Sequence, residues 1–301
     1  DSKLSEALLA TVTTPVLLLI ANRPPALLVR LYVTAPPLTS LDDAVRPTDV
    51  PLAAPGADPA AVAAEVIARI TERTKLIVLS QVTYVTGQVL PIAPVAQAAA
   101  RRGVPLLVDG AHGLGLLPPT SALAGAPFYT ACLHKWLMGP VGTGVFTVQA
   151  PWIARLWPLH PADALHTNTI AKFEQWGTHA VAPFLALDEA LDLHEQLGAT
   201  RIAARLDHLR TLLAGQLRER RGVTLWTDPT PGRSAALLAV EAARVPAAEL
   251  AAWLWREHRI HVTTAPLGER HVLRLSPHLF TTPDEISRVV AAVGAAAELG
   301  I

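Results

Sequence analysis

This chain of 301 residues contains very little cysteine and has a formal net charge of zero. Cys132 is the one cysteine, which excludes an intramolecular disulfide and any zinc or iron–sulfur site built from several cysteines. Lysine plus arginine and aspartate plus glutamate balance at 25 each. We expect neither a nucleic acid nor an anionic membrane as partner, because both require a basic surface. Cysteine usage does not set the compartment, so a cytoplasmic location is the default expectation.

Long apolar runs are also missing. The longest near the start, Leu8 to Ile20, has about 13 residues, whereas a helix needs about 20 to span a bilayer. We expect a buried core segment there, and a signal peptide fits poorly because no A-x-A-like cleavage pattern follows. In contrast, 51% of all residues are hydrophobic and only 17% are charged, which favours a sizeable folded core.

Strand and helix patterns alternate along the first two thirds of the chain. Prolines interrupt residues 1–50, where Leu27 to Val33 is one strand candidate. A helix is predicted from Pro59 and another over residues 92–102. Apolar runs typical of buried strands lie at residues 75–82, 104–109, 128–133 and 144–148. The alternation predicts an α/β fold with a mostly parallel sheet, in a large domain over residues 1–195 whose N-terminal part is atypical or shortened.

The pattern changes after Gly177. Long helical stretches cover residues 184–197 and 202–220, and a final helix covers residues 283–299. Between them, strand patterns occur at residues 235–240, 261–264 and 272–275, with a helix at 247–257. We predict a smaller α+β C-terminal domain over residues 196–301.

Polar residues follow two of the predicted strands. Asp109 and His112 lie in VDGAHG after one strand, and Lys135 lies in HKW after the next. Ligands of open α/β sheets bind at the carboxyl ends of strands. A carboxylate there suits a protonated pyridine nitrogen, and a lysine in an apolar loop is a usable amine nucleophile. In the second domain, Arg274 can hold a carboxylate by two hydrogen bonds.

Each motif also has an ordinary structural interpretation. An aspartate at a strand end is often a helix cap, a His-Lys pair is usually on the surface, and a lone histidine is usually structural. The GPVGTG stretch is no Walker A loop, because no GK[ST] follows. We expect no metal, since no known zinc-ligand spacing matches the histidines at 112, 134, 258 and 261.

Taken together and in order, these motifs resemble a known family. The stretch from about Lys75 to Val148 is similar to the class V aminotransferase-like family of fold type I pyridoxal-phosphate enzymes. Within it, VDGAHGLGLLP and LHKWLMGPVGTGVFTV most resemble the isopenicillin N epimerase-like branch, which also includes carbon–sulfur lyases that act on cysteine conjugates. The similarity covers roughly residues 60–300.

The resemblance implies a role for each motif residue. Lys135 would carry pyridoxal 5'-phosphate as a Schiff base, and Asp109 would pair with the pyridine nitrogen. His112 would lie near the phenolic oxygen of the ring, and His134 would contact the phosphate. Thr178 would reach the phosphate of a neighbouring subunit, which implies a homodimer with shared active sites.

Other implications concern the substrate and the first residues of the chain. Arg274 would bind the α-carboxylate of a small amino-acid-like substrate, and Tyr84 or Thr83 would supply a polar group beside the cofactor. Relatives have a longer N-terminal part with a threonine-containing phosphate cradle, of which Thr13-Thr14 is the candidate remnant. No residue between Ala21 and Pro59 is a convincing partner for stacking on the ring.

Several reactions are compatible with this resemblance. Epimerisation and C–S β-elimination both begin with removal of an α-proton, for which Lys135 is the candidate base. An aminotransferase of the same family and a degraded, non-catalytic homologue are the alternatives. A cysteine desulfurase is rejected because no cysteine follows Arg274 and the one thiol, Cys132, lies beside the lysine motif.

Overall fold

The first sheet has six strands. The structure, a computed structural model, describes residues 28–34, 45–51, 56–118, 125–158, 162–175 and 177–301. In chain order the strands are β1 (Leu28–Thr34), β2 (Val45–Pro51), β3 (Thr74–Ser80), β4 (Leu106–Asp109), β5 (Phe128–Cys132) and β6 (Gly144–Val148). In space their order is β2-β1-β3-β4-β5-β6.

The pairing in this sheet is mixed. The strands β3, β4 and β5 are parallel, as expected for buried apolar runs joined by helical crossovers. The flanking strands β1, β2 and β6 pair antiparallel. Parallel order is therefore confined to the three central strands, whose carboxyl ends lie at one edge of the sheet.

Helices cover this sheet and lead out of it. Among the described residues they are α1 (Pro59–Ala68), α2 (Ile92–Arg101), α3 (Ala150–Ile153), α4 (Ala182–Leu185) and α5 (Leu187–Leu197), with 3-10 turns at Ala164–His166 and Ile170–Phe173. Val62 and Val66 occupy one face of α1 and are fully buried against the same core as Ile77 of β3 and Val95 of α2. Burial of this apolar face holds α1 and α2 on the sheet and fixes the loops at its edge.

A second, antiparallel sheet follows. Its elements are α6 (Ala199–Arg218), β7 (Val223–Leu225), β8 (Leu238–Ala242), α7 (Ala247–His258), β9 (Thr263–Leu267), β10 (Arg270–Leu275) and α8 (Pro283–Leu299). The strand order is β7-β8-β10-β9. Helices α6, α7 and α8 pack on it through a separate aliphatic core. The α/β class of the chain is confirmed, while the exact boundary between residues 195 and 196, near the end of α5, stays a prediction.

Some sequence-based expectations fall outside the described residues. They include the apolar run Leu8 to Ile20 and the candidate cradle Thr13-Thr14. Within the described ranges, no helix is both long and apolar enough to cross a membrane.

Candidate active site

Asp109 ends the central strand β4. Its Oδ1 accepts a hydrogen bond from the backbone N–H of Ala111 at 2.9 Å, and Ser80 Oγ, its neighbour in the ladder, donates to Oδ2 at 3.4 Å. The side chain is half-buried at the carboxyl edge of the parallel strands. It therefore stabilises a turn rather than the helix that an aspartate cap would begin, and it also lies where ligands of α/β sheets bind.

The loops after β4 and β5 are in direct contact. Lys135 Nζ lies 3.4 Å from Nε2 of His112, and the indole N–H of Trp136 donates to Nδ1 of the same imidazole at 3.2 Å. A Cβ added to Gly115 would lie 2.8 Å from the backbone N of Leu137. The close approach of the two loops thus requires glycine at position 115.

The lysine loop has an unusual backbone. Met138 adopts a left-handed conformation with φ of 62°. The N–H of Met138 donates to the carbonyl of Lys135 at 3.0 Å, and Gly139 N–H donates to the carbonyl of Leu133 at 2.8 Å. A non-glycine residue in this region costs about 1–3 kcal/mol and is typical of functional loops. The chain reverses direction directly after Lys135, and this turn holds the Lys135 side chain at the edge of the sheet.

The electrostatics of the site keep His112 neutral. Burial, followed by the positive charges of Lys135 and Arg274, lowers its pKa from 6.5 to about 3. Arg274 is part of β10 in the second sheet, yet its charge acts on His112 of the first. The structure thus places Lys135 in contact with His112 at the sheet edge where Asp109 ends β4, and Arg274 near enough for its charge to act on that imidazole.

Arg274 retains free donors. Its Nη1 donates to the backbone carbonyl of Tyr84 at 3.4 Å, while its Nε is buried without a hydrogen-bond partner among the described residues. Burial lowers the pKa of Arg274 and raises that of Tyr84. An arginine with an unpaired donor is suited to a carboxylate partner. Thr83, the other candidate, is buried and its hydroxyl already pairs with that of Thr86 at 2.8 Å.

The two predicted phosphate contacts differ in placement. His134 precedes Lys135, and its Nδ1 lies 3.2 Å from the carbonyl oxygen of Thr143, a buried residue in the glycine-containing loop before β6. Thr178 is exposed on the segment before α4, and no hydrogen bond of the described residues joins it to the other site residues. His134 is thus next to Lys135 in the same loop, whereas Thr178 is not brought into contact with the other predicted site residues.

The sequence favours packing of the lysine loop for Trp136, and for His278 either orientation of Arg274 or capping of local backbone. The ring of His278 stacks on Trp136, with centroids 5.1 Å apart and an interplanar angle of 10°. His278 Nδ1 accepts the N–H of Leu279 at 2.9 Å, so it caps local backbone, and no hydrogen bond of the described residues joins it to Arg274. The hydrogen bond from Trp136 to His112 was missed, because no sequence pattern signals it: it joins two different loops.

The donor set fits pyridoxal phosphate. Within the described part of the chain, Lys135 forms no ion pair, and no group of three or more His, Cys, Asp or Glu side chains could hold a metal. A carboxylate at a strand end, a lysine after the next strand and an arginine with a free buried donor match the cofactor's ring nitrogen, its aldehyde and a substrate carboxylate. Fold and site together define a fold type I pyridoxal-phosphate protein.

Comparison with known proteins identifies the family. The model of the class-V aminotransferases matches residues 53–289, and the chain belongs to that family. It is 33% identical over 262 residues to isopenicillin N epimerase of Streptomyces clavuligerus, which covers 79% of this chain and 64% of that protein. It is 34% identical over 237 residues to a probable hercynylcysteine sulfoxide lyase of Mycobacterium tuberculosis, covering 73% and 57%.

Solved structures give the same result. A complex of the cystine C–S lyase C-DES with cysteine persulfide is similar with a TM-score of 0.67 and 25% identity, over 77% of this chain and 64% of that one. A cysteine desulfurase of Escherichia coli has a TM-score of 0.70 and 25% identity, over 84% and 65%. The chain spans 57% to 64% of the length of the epimerases and the lyase that it matches. The resemblance to the class V family is confirmed, and family and site support pyridoxal phosphate as the cofactor.

Proposed function

We propose that this chain is a pyridoxal-phosphate enzyme that acts at the α-carbon of an amino acid or cysteine conjugate, by epimerisation or C–S β-elimination. The convergence of Lys135, Asp109 and Arg274 around His112 carries the proposal. Relatives named as an epimerase and as a sulfoxide lyase support both reactions. An aminotransferase of the same family is the alternative outcome, and the cytoplasmic location stays a prediction.

Each residue has a distinct proposed role. Lys135 anchors the cofactor through Nζ and, once its amine is free, moves the α-proton of the substrate. Asp109 holds the protonated ring nitrogen, and His134 contacts the phosphate. Arg274 binds the substrate carboxylate through its unpaired Nε and its remaining guanidinium donors. When bound, the cofactor supplies an electron sink for the α-carbon.

Cysteine desulfuration is not proposed, although probable desulfurases are among the relatives. That reaction needs a cysteine nucleophile near the substrate sulfur. Cys132 is the only cysteine of the 301 residues, and it ends β5, half-buried, directly before the lysine loop. Epimerisation and β-elimination need no such thiol.

Absorbance and product analysis test this proposal. The purified chain, incubated with pyridoxal phosphate, should acquire a near-visible absorbance band that Lys135→Ala lacks. Lys172→Ala is the matched control, because Lys172 is buried elsewhere and donates to backbone carbonyls of residues 153 and 167. A panel of L-amino acids and cysteine S-conjugates should then yield a D-amino acid, or pyruvate with a released thiol. The proposal would be contradicted if the parent chain and the Lys172→Ala control both stayed colourless and formed no product.

A homodimer with shared sites is the second part of the proposal. Large apolar side chains are exposed between residues 141 and 185, on both sides of Thr178 in the chain: Val141, Trp157, Leu165, Val181 and Leu185. Trp157 and Leu165 are 94% and 85% exposed, and large apolar side chains in solvent gain free energy when a partner covers them. Their place in the chain around Thr178 supports a second copy that covers them and receives Thr178 at its own phosphate site.

Subunit complementation tests the shared site. We expect Lys135→Ala and Thr178→Ala homodimers each to be impaired, and their co-expressed heterodimer to regain one intact site, made from Lys135 of one subunit and Thr178 of the other. If Thr178 serves its own subunit, the heterodimer contains no intact site and activity stays low. Trp157→Asp should weaken the dimer in light scattering, while Trp255→Asp, on an exposed face of α7, should not.

A further inference from the structure

Trp136 is held between two histidines. Its indole ring is buried, with 4% of the residue exposed, and one face stacks on His278. Its N–H, which lies in the plane of the ring, donates to His112 Nδ1 at 3.2 Å. The stacking ring is itself fixed, because His278 Nδ1 accepts a hydrogen bond from Leu279 N–H and His278 N–H donates to Thr281 Oγ1 at 3.0 Å. The stack on His278 therefore constrains the plane of the indole, and the hydrogen bond to His112 shows where its N–H is directed.

An indole N–H can only donate, which determines what His112 must do. A neutral imidazole has one nitrogen with a proton and one with a lone pair. Because Nδ1 accepts from Trp136, the proton of the neutral ring is on Nε2. His112 is neutral near neutral pH, since burial and the charges of Lys135 and Arg274 lower its pKa to about 3.

We propose that Trp136 is a positioning residue, which holds His112 in the tautomer whose protonated nitrogen, Nε2, faces Lys135 Nζ. Nε2 lies 3.4 Å from Nζ. A protonated Nε2 offers a donor at this point, and so suits an acceptor there, such as an oxygen of a bound cofactor. The opposite tautomer would offer a lone pair there and would suit an ammonium group instead.

This assignment explains why a tryptophan follows the lysine. A phenylalanine at position 136 would keep the stack on His278 but would leave Nδ1 of His112 without its donor. An aliphatic residue would remove both contacts. The indole of Trp136 packs with Val82 and with Ile202 and Leu206 of α6, whereas its N–H alone selects the tautomer. The two roles can therefore be separated by experiment.

The tautomer is directly measurable by nitrogen NMR. The probe is the cofactor-free full chain labelled with 15N-histidine, in which long-range proton–nitrogen spectra distinguish protonated from unprotonated ring nitrogens. The His112 signals are assigned by their loss in His112→Gln. We expect Nε2 to be protonated and Nδ1 to be a hydrogen-bonded acceptor. A protonated Nδ1 in the unmodified chain would overturn the proposal.

Two replacements of Trp136 then test the cause. Trp136→Phe, and an isosteric benzothienylalanine at the same position, both lack the N–H, and the isostere preserves the volume if the phenylalanine variant folds poorly. Loss of one neutral hydrogen bond should raise the ratio of Nδ1-protonated to Nε2-protonated ring about fivefold. An unchanged ratio in the isosteric variant would overturn the proposal.

A matched tryptophan controls for general effects. Trp226 also donates its indole N–H to a side chain, Glu241 Oε2, at 2.9 Å, but in the second sheet. Trp226→Phe should leave the His112 tautomer unchanged, and a shift of the same size there would contradict a specific role for Trp136.

The link of this inference to catalysis rests on the proposed function, but its test does not. The spectra are recorded without cofactor, substrate or turnover. If no cofactor band forms while the tautomer responds to Trp136 as expected, the proposed function fails and the positioning role stands. If the band and products appear but the His112 tautomer does not change when Trp136 is replaced, the positioning role alone fails.

Discussion

The neutral state of His112 makes a definite prediction about stability and pH. The perturbation is a change from about pH 7.5 to about pH 5 in the cofactor-free chain, compared between the parent and His112→Gln. In the folded chain the pKa of His112 is lowered from 6.5 to about 3, first by burial and then by Lys135 and Arg274. As the pH falls, His112 therefore binds a proton in the unfolded chain at a higher pH than in the folded chain.

The sign and size follow from proton linkage. Between pH 6.5 and about 3 the unfolded chain binds a proton at this imidazole that the folded chain does not bind, so the free energy of unfolding falls as the pH falls. One bound proton corresponds to about 1.4 kcal/mol per pH unit inside that window. From about pH 7.5 to about pH 5, His112 should thus account for a loss of about 2 kcal/mol.

Urea unfolding followed by circular dichroism measures this loss. Burial also lowers the pKa of His194 and His278, so both proteins lose stability in acid. The contribution of His112 is the difference between the parent and His112→Gln in how their free energies of unfolding change with pH. His208→Gln, at an exposed position of α6, controls for removal of an imidazole. Equal slopes for the parent and His112→Gln would refute the reasoning, because His112 would then bind its proton in the folded state.

Three further predictions concern the scaffold, each checked by urea unfolding. A Cβ on Gly110 would lie 2.0 Å from the buried Tyr129 hydroxyl, so Gly110→Ala should cost about 1–3 kcal/mol and weaken cofactor binding. Gly215 in α6 has nothing within 4 Å of its added Cβ, so Gly215→Ala should stabilise by about 0.5–1 kcal/mol. Thr282 and Glu285 form the capping box of α8, and Thr282→Ala should cost about 1 kcal/mol.

The grouping of Asp109, His112 and Lys135 was predictable from sequence. Apolar runs located the strands β4 and β5, and parallel neighbours end at the same edge of a sheet. Residues that directly follow two such strands must then lie close together, whatever the details of the loops. For the same reason the predicted lysine and acid are supported by topology and not only by motif.

Other features depend on contacts that no local pattern encodes. Strand β2 was missed because Pro47 and Pro51 interrupt it, and proline is accepted there because β2 pairs on one side only, with β1. The antiparallel flanks of the sheet likewise reflect strand order in space. The hydrogen bond from Trp136 to His112 requires one ring orientation, which is set by His278 from a distant part of the chain.

The position of Arg274 shows how the second sheet contributes to the site. Arg274 reaches Tyr84 from β10, and the turn that holds Tyr84 is bound to the second sheet at its next residues. Thr227 Oγ1 donates to the carbonyl of Thr86 at 2.9 Å, and Ala235 N–H donates to the carbonyl of Gly87 at 2.8 Å. The turn after β3 is thus anchored to the unit that carries Arg274, while β3 itself pairs with the strand that carries Asp109. The spacing between Arg274 and Asp109 of the first sheet is therefore fixed through this turn, and does not depend on α5 and α6 alone.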